Sequence, residues 1–92
     1  MTEQQVREAA GSIVLACAKE ARVAYRLEPG RTFAEVNRLE LLQHLLFMCE
    51  EIPRLLDQDK REKAMRWLGF AQGLAWSLGI VPTIAELKDA NR

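Results

Sequence analysis

Apolar side chains recur along the chain at the three- and four-residue spacing that is typical of amphipathic helices. The pattern predicts four helices, at about 3–27, 33–51, 60–78 and 84–90. Each predicted start carries a threonine or aspartate followed three residues later by glutamate or glutamine, which is the spacing of a capping box. The four pairs are Thr2 and Gln5, Thr32 and Glu35, Asp59 and Glu62, and Thr83 and Glu86. We therefore expect an all-α fold and a single helical domain over residues 1–92.

The third predicted helix is apolar around almost its whole circumference. Between Ala64 and Ile80 only three side chains are polar, those of Arg66, Gln72 and Ser77. A helix of this kind must be covered on more than one side. We predict that the first two helices form a long antiparallel hairpin packed on a central third helix, which ends at a Gly79 cap. The short fourth helix then closes the bundle.

Gly69 and Gly73 lie one turn apart on the second face of this helix, and Trp76 follows on the same face. Each glycine costs a helix interior about 1 kcal/mol relative to alanine, so the pair needs a compensating contact. We expect a shallow groove in which another backbone or the Trp76 indole lies close. A structural groove and a ligand pocket are both open interpretations. The same three residues are candidates for an interface.

Two charged residues interrupt the apolar faces of the first two predicted helices. Glu20 lies in the middle of the first apolar face, and Arg38 lies within the second. A buried carboxylate needs a partner, and a hairpin that turns near Pro29 brings Glu20 and Arg38 to nearly the same level. We predict an ion pair between them with a structural role, because a buried pair by itself is weak evidence for chemistry.

Three apolar side chains, those of Phe33, Val36 and Phe47, point towards the polar side of the second predicted helix. Grouped exposed aromatic residues are candidates for a surface that binds a partner. The alternative is that a later helix covers them. The sequence favours neither interpretation over the other.

The sequence offers little catalytic or metal-binding chemistry. His44, the only histidine, shares its helix face with Glu40 and Glu51, so we expect a solvated side chain rather than a base or a metal ligand. Cys17 and Cys49 form no metal-binding pattern, and the hairpin register places them too far apart for a disulfide. We expect two buried thiols, and we predict no enzymatic activity, no cofactor and no metal.

Composition narrows the classes of partner. Apolar residues make up 49% of the 92, a high share for so small a domain, so we expect apolar surface to remain for a homo-oligomer. Thirteen basic and thirteen acidic residues cancel, which argues against nucleic-acid binding. The sequence shows no secretory signal and no membrane-spanning stretch, so a cytoplasmic location without membrane binding is expected.

The start of the third predicted helix carries four cations, Lys60, Arg61, Lys63 and Arg66. Cations at this end oppose the helix dipole. One explanation is structural, because an acidic residue lies four positions before a cation in two pairs, Asp59 with Lys63 and Glu62 with Arg66. The other is an anion-binding site for a phosphate or an acidic partner, built on the free N–H groups of the helix start.

The last third of the chain carries a more specific pattern. Residues 62–92 contain K-A-M-R-W-L-G-F-A-Q-G, then A-W-S-L-G, then T-I-A-E-L-K-D-A-N-R. This stretch resembles a recurrent ending of small uncharacterised proteins encoded by tailed phages and prophages. Its most specific positions are Trp67-Leu68-Gly69-Phe70, Gln72-Gly73 and Trp76. The resemblance implies a bacterial cytoplasm during infection or lysogeny, where short proteins often bind host or phage components, and it implies no catalytic residue.

Two functions are therefore expected from the sequence. The leading one is a phage-type accessory protein that acts without catalysis by occupying a host or phage protein, through the Phe33, Val36 and Phe47 surface or the groove beside Trp76. The alternative is an oligomeric binder that sequesters an anionic nucleotide through the four cations of the third helix, as an anti-defence protein would.

Overall fold

A computed structural model describes residues 1–32 and 35–80 as a bundle of three α-helices. The helices are α1, Glu3–Cys17, α2, Arg38–Asp57, and α3, Arg61–Ser77. The all-α prediction is confirmed, because the described ranges contain helices and no strand, and the three helices pack on one another. The range of α3 agrees closely with the predicted 60–78. The predicted helix at 84–90 lies outside the described residues, as does Phe33.

Successive helices run in opposite directions. Arg7 near the start of α1 pairs with Asp57 at the end of α2, with 2.6 Å between Nη2 and Oδ1, so these two helices are antiparallel. Arg38 at the start of α2 donates to the carbonyl of Leu78 just beyond α3, so α2 and α3 are antiparallel too. Residues 58–60 connect α2 to α3 tightly, whereas residues 18–37 form a long connection between α1 and α2.

The helix at the centre of the bundle is α2 rather than the third helix. It contributes the large side chains of the core, and its buried residues are Leu41, Leu42, Leu45, Leu46, Met48, Cys49, Ile52, Leu55 and Leu56. The residues that α3 buries are mostly small, namely Ala64, Leu68, Ala71, Gln72 and Ala75. Alanines let the α3 backbone approach the leucines of α2 closely, so one face of α3 is enough to hold it in place.

The first helix is shorter than predicted, because α1 ends at Cys17 rather than near residue 27. Beyond it, the N–H groups of Tyr25 and Leu27 donate to α2, to the carbonyl of Gln43 at 3.0 Å and to Nδ1 of His44 at 3.2 Å. Ala21 is buried in the core. The chain thus exchanges intrahelical hydrogen bonds for contacts with α2, and such tertiary contacts override helix propensity.

The start of α2 also differs from the prediction. Asn37 is its N-cap, and Oδ1 of Asn37 accepts from the N–H of Glu40 at 2.8 Å. At the predicted capping pair further upstream, Thr32 donates its N–H to the Glu35 carboxylate at 3.2 Å, but α2 does not begin there. Helix two therefore begins at Arg38 rather than at residue 33.

The end of α2 lies beyond the predicted end at 51, because the helix continues through Pro53 to Asp57. Proline inside a helix costs about 3 kcal/mol. The residues that the continuation carries into the core are Ile52, Leu55 and Leu56, all buried. Each such side chain contributes about 1.5 to 3 kcal/mol when buried, so the three together outweigh the cost of the proline.

Asp59 does not cap α3 as predicted. It has a positive φ of 59° and sits in the turn that ends α2, where its N–H donates to Leu56 and the N–H of Lys60 donates to Leu55. This pattern is a Schellman motif, whose left-handed residue is usually glycine. The N-cap of α3 is Lys60, which makes no side-chain capping bond. Gly79, with φ of 74°, ends α3 in the same way, so the predicted Gly79 cap is confirmed.

We expect the substitution Asp59→Gly to raise the free energy of unfolding by about 0.5 to 1 kcal/mol, because glycine adopts the left-handed conformation without the steric cost of a Cβ. Urea denaturation measures the change. Asp57→Gly is the matched control, since Asp57 is helical and pairs with Arg7, and there we expect a loss of about 1 kcal/mol. Equal effects at the two positions would contradict the assignment of the turn.

Candidate functional site

A pocket of about 570 Å³ lies between the long connection and the outward faces of α2 and α3. We call it the loop pocket. It is lined by Arg26, Leu27, Glu28, Pro29, Gly30, Arg31, Thr32 and Val36 from the connection, by Leu41, His44, Phe47 and Met48 from α2, and by Arg66, Trp67, Phe70 and Leu74 from α3. Most of these side chains are apolar or aromatic, and the charged ones are three arginines and one glutamate.

Phe47 is the centre of the aromatic side of the loop pocket. Its ring is stacked with that of His44, with centroids 6.2 Å apart and planes inclined by 20°. The indole of Trp67 lies 6.3 Å away on the α3 side, tilted by 48°. Val36 lines the same pocket. Phe47, predicted either to bind a partner or to be covered by a later helix, is thus contacted by α3 and half-buried.

Two arginines of the loop pocket have no acidic partner among the described residues. Arg26 lies over the ring of Phe47, with Cζ 5.7 Å from its centroid, and Arg66 lines the α3 side. Neither forms an ion pair within the described ranges. Arg31, by contrast, pairs with Glu40 at 3.3 Å and donates to the Glu35 carbonyl at 2.7 Å. The pocket therefore combines an apolar surface with two guanidinium groups that an anion can reach.

His44 is half-buried in this pocket, so the prediction of a solvated histidine is wrong. Its Nδ1 accepts the N–H of Leu27, which requires the neutral ring to carry its proton on Nε2. Burial and the nearby Arg26 cation lower the pKa of His44. The prediction relied on the polar neighbours Glu40 and Glu51 on the same helix face, but the chain after α1 lies along α2 and partly covers His44.

The four cations at the start of the third helix do not form one site. Arg61 donates to the carbonyl of Met1 at 2.9 Å, and Lys63 lies over the ring of Trp67, with Nζ 5.4 Å from the ring centroid. Lys60 is the exposed N-cap of α3. Only Arg66, one turn further along, lines the loop pocket. The cluster is therefore divided, and one of its members joins a different group of residues.

The predicted groove beside Trp76 is open. Gly69 and Gly73 are exposed, and outside the adjoining residues and backbone of α3 a Cβ added at either would meet no atom of the described residues within 4 Å. Trp76 is 48% exposed, and Met65 on the same face is 39% exposed. Among residues 1–32 and 35–80 nothing covers this second face of the third helix. Its predicted enclosure by the rest of the chain or by a second copy stays a prediction, and so does the expected oligomer.

Glu20 and Arg38 are in contact, as the hairpin register predicts. The guanidinium donates from Nε and Nη2 to the two carboxylate oxygens, at 3.3 and 3.2 Å. Both side chains are about half exposed rather than buried, because Glu20 follows α1 in a turn instead of lying on a helix face. Since Arg38 also donates to the Leu78 carbonyl at 2.8 Å, it ties the ends of all three helices together at one end of the bundle.

Cys17 and Cys49 are free and buried, as expected. Burial, reinforced by the Glu20 charge, raises the pKa of Cys17 to about 11. Burial also raises the pKa of Cys49, to about 12. Both thiols are therefore neutral at physiological pH and packed in the core, where they act as small apolar side chains.

Sequence reasoning missed the loop pocket as a unit, and Arg26 and Phe70 as parts of it. One signal was available in the third helix, where Arg66, Phe70 and Leu74 recur at a spacing that places them on one helix face. A second was the close succession of His44 and Phe47 in the second helix. Nothing in the sequence, however, indicates that the connection after α1 lies along α2, so these two groups of residues could not be assigned to one pocket.

The described ranges contain neither a metal site nor a membrane span. No group of three histidine, cysteine or carboxylate side chains among those residues could hold a metal ion. None of the described helices is both long enough and apolar enough to cross a bilayer. The chain matches no protein-family model, no curated protein and no solved structure.

Proposed function

We propose that this protein acts without catalysis, by holding a small anionic ligand that carries a planar ring, of the nucleotide class, in the loop pocket. The observation that carries the proposal is a pair of arginines, Arg26 and Arg66, that have no acidic partner within residues 1–32 and 35–80 and that line the same pocket as Phe47 and Trp67. The proposed mode of action is sequestration, in which the bound ligand is withheld from other proteins.

The chemistry of the pocket fits such a ligand. Aromatic and aliphatic surface favours burial of a nucleobase, and guanidinium groups bind phosphate oxygens through pairs of parallel hydrogen bonds. The volume of about 570 Å³ lies within the range of roughly 300 to 1,000 Å³ that is typical of small-molecule sites. Arg66 is the residue that this proposal shares with the anion site expected from the sequence.

Binding without turnover is supported by the state of the reactive groups. The two thiols are buried and neutral, which removes their nucleophilic form. His44 uses Nδ1 to accept the Leu27 N–H, so that nitrogen is not available to take a proton from a bound ligand. Apart from Glu28 and Thr32, the other residues that line the pocket are mainly arginines and apolar or aromatic side chains, which are suited to binding anions and ring systems.

Calorimetric titration with a panel of mononucleotides and cyclic dinucleotides tests the proposal. We expect at least one member to bind, and the double variant Arg26→Gln, Arg66→Gln to weaken its binding at least about 100-fold. The reason is that each charge-assisted hydrogen bond contributes about 1.5 to 3 kcal/mol. Arg61→Gln is the control, because Arg61 belongs to the same basic stretch but contacts Met1 instead of the pocket.

Three results would contradict this proposal in different ways. If no member of the panel binds, nucleotides are excluded as the ligand. If Arg61→Gln weakens binding as much as the double variant does, the site lies at the start of α3. If the double variant binds as tightly as the wild type, the ligand does not bind in the loop pocket.

A second candidate function is the occupation of a host or phage protein. It is supported by the open face of α3, on which Met65 and Trp76 are exposed on either side of Gly69 and Gly73. Exposed large apolar side chains on one face are typical of protein interfaces. A silent nucleotide panel, together with a monomeric mass by light scattering, would favour this candidate over self-association. The proposed setting, a bacterial cytoplasm during phage infection, depends on the resemblance of residues 62–92 alone.

A further inference from the structure

We propose that His44 is a positioning residue, which holds the connection against α2, and Arg26 over the pocket, only while its imidazole is neutral. This role concerns the regulation of the loop pocket and in that respect rests on the proposed function. The juxtaposition that carries it is the 3.2 Å contact from the Leu27 N–H to Nδ1 of a ring stacked on Phe47.

Two backbone groups of the connection donate to neighbouring residues of α2. The N–H of Tyr25 donates to the Gln43 carbonyl at 3.0 Å, and the N–H of Leu27 donates to His44. Arg26 lies between these two attachments, and its guanidinium is held over Phe47 at 5.7 Å. Fixing the backbone on both sides of Arg26 therefore fixes where its charge enters the pocket.

One of these two attachments can be switched by a proton. The Gln43 carbonyl accepts at any pH, but Nδ1 of histidine accepts only in the neutral ring, since the imidazolium is a donor at both nitrogens. Protonation would place a hydrogen on Nδ1, where it faces the N–H of Leu27. The hydrogen bond is then lost, and the two donors repel each other. His44 is thereby a proton-sensitive contact at the edge of the proposed site.

The charges around His44 favour its neutral form. Arg26, Glu28 and Arg31 face the pocket from the connection, and Arg66 faces it from α3. Glu40, one turn earlier on the helix of His44 itself, is paired with Arg31. The balance is positive, so it acts in the same direction as burial, and both effects lower the pKa of His44. The attachment is therefore complete at pH 7 and is released on the acidic side.

The test is amide hydrogen exchange at Leu27 in the ligand-free protein, followed by NMR together with the titration of the His44 ring. After correction for intrinsic exchange, we expect protection of Leu27 to fall about threefold to tenfold as the ring takes up its proton, the size expected from loss of one neutral hydrogen bond. The amide of Leu45 in the core is the internal reference.

Two variants separate positioning from simple packing. His44→Asn retains an acceptor near the position of Nδ1 without a titrating group, so Leu27 should stay protected across the pH range. His44→Leu retains bulk without an acceptor, so protection should be low at every pH. Unchanged protection of wild-type Leu27 through the His44 titration would overturn the proposal even if both variants fail to fold. Because no nucleotide is present, a silent ligand panel leaves this result unaffected.

Protonation of His44 should also change the free energy of unfolding. Since the pKa of His44 is lower in the folded state, the unfolded chain binds the proton first as the pH falls. The contribution of neutral His44 to stability is thus fully present above the unfolded pKa of about 6.5. It declines as the pH falls from there to the lowered folded pKa. His44→Asn should remove this part of the pH dependence, and a decline that persists unchanged in that variant would contradict the assignment.

Discussion

Replacing Leu45 with alanine is expected to lower the free energy of unfolding by about 2 to 5 kcal/mol. Leu45 lies in α2, and its side chain is 0% exposed within the core cluster to which all three helices contribute. Alanine removes the apolar contacts and leaves a cavity that the surrounding helices fill only in part. Domains of this kind are stable by roughly 5 to 15 kcal/mol, so urea denaturation should show a large fall in the midpoint.

The same substitution at Leu39 is the matched control. Leu39 lies on the same helix, but its side chain is 50% exposed. We expect Leu39→Ala to change the free energy of unfolding by no more than about 0.5 kcal/mol. If the two variants unfold at the same urea concentration, α2 does not form the shared core of the bundle.

Replacing Pro53 with alanine is expected to stabilise the protein by about 1 to 3 kcal/mol. Pro53 lies inside α2, so the Cys49 carbonyl four residues earlier lacks its helical donor, and the proline ring presses on that turn. Alanine supplies the N–H and removes the clash. Thermal unfolding measures the gain, at roughly 4 to 8 °C per kcal/mol for a domain of this size.

Proline to alanine should have the opposite effect at Pro29. That residue lies in the turn in which Arg31 donates its N–H to the Glu28 carbonyl, followed by Gly30 with φ of 93°. Proline suits the second position of such a turn and restricts the unfolded chain, so Pro29→Ala should destabilise by about 0.4 to 1 kcal/mol. Destabilisation by Pro53→Ala would instead mean that the proline shapes α2 for its packing.

Local signals in the sequence predicted those features that depend on neighbouring residues only. The Thr2 and Gln5 capping box is present, with both of its hydrogen bonds. Gly79 ends α3 with a positive φ, a conformation that glycine adopts without steric cost. The contact between Glu20 and Arg38 was also predictable, since the antiparallel arrangement of the first two helical segments is enough to bring them together.

The errors arose where distant contacts outweigh local preference. Residues 18–27 contain no glycine or proline and have good helix propensity, yet Tyr25 and Leu27 bind α2 instead of continuing α1. Pro53 is a strong local signal for a helix end, but burial of the residues beyond it keeps α2 intact. Asp59 resembles a helix cap in sequence, but it lies instead at the left-handed position of the turn that ends α2.

The candidate site could be predicted only in part for the same reason. Arg66, Val36 and Phe47 were identified from the sequence, but in separate groups and for separate roles. The space that unites them is bounded by the connection after α1, whose course depends on hydrogen bonds to the side chain of His44 and the backbone of Gln43. No periodicity encodes such contacts, because they join residues that are 17 or 18 positions apart in the chain.

The unequal lengths of the two connections predict an order of assembly. Closing a loop costs entropy that rises with the number of residues enclosed, so we expect α2 and α3, joined by residues 58–60, to meet first. The longer connection is enclosed only when α1 docks on that pair, so we expect its contacts to form last. We expect local openings of the native protein to reverse this order, so that the space beneath the connection opens first and admits a ligand while the core stays folded.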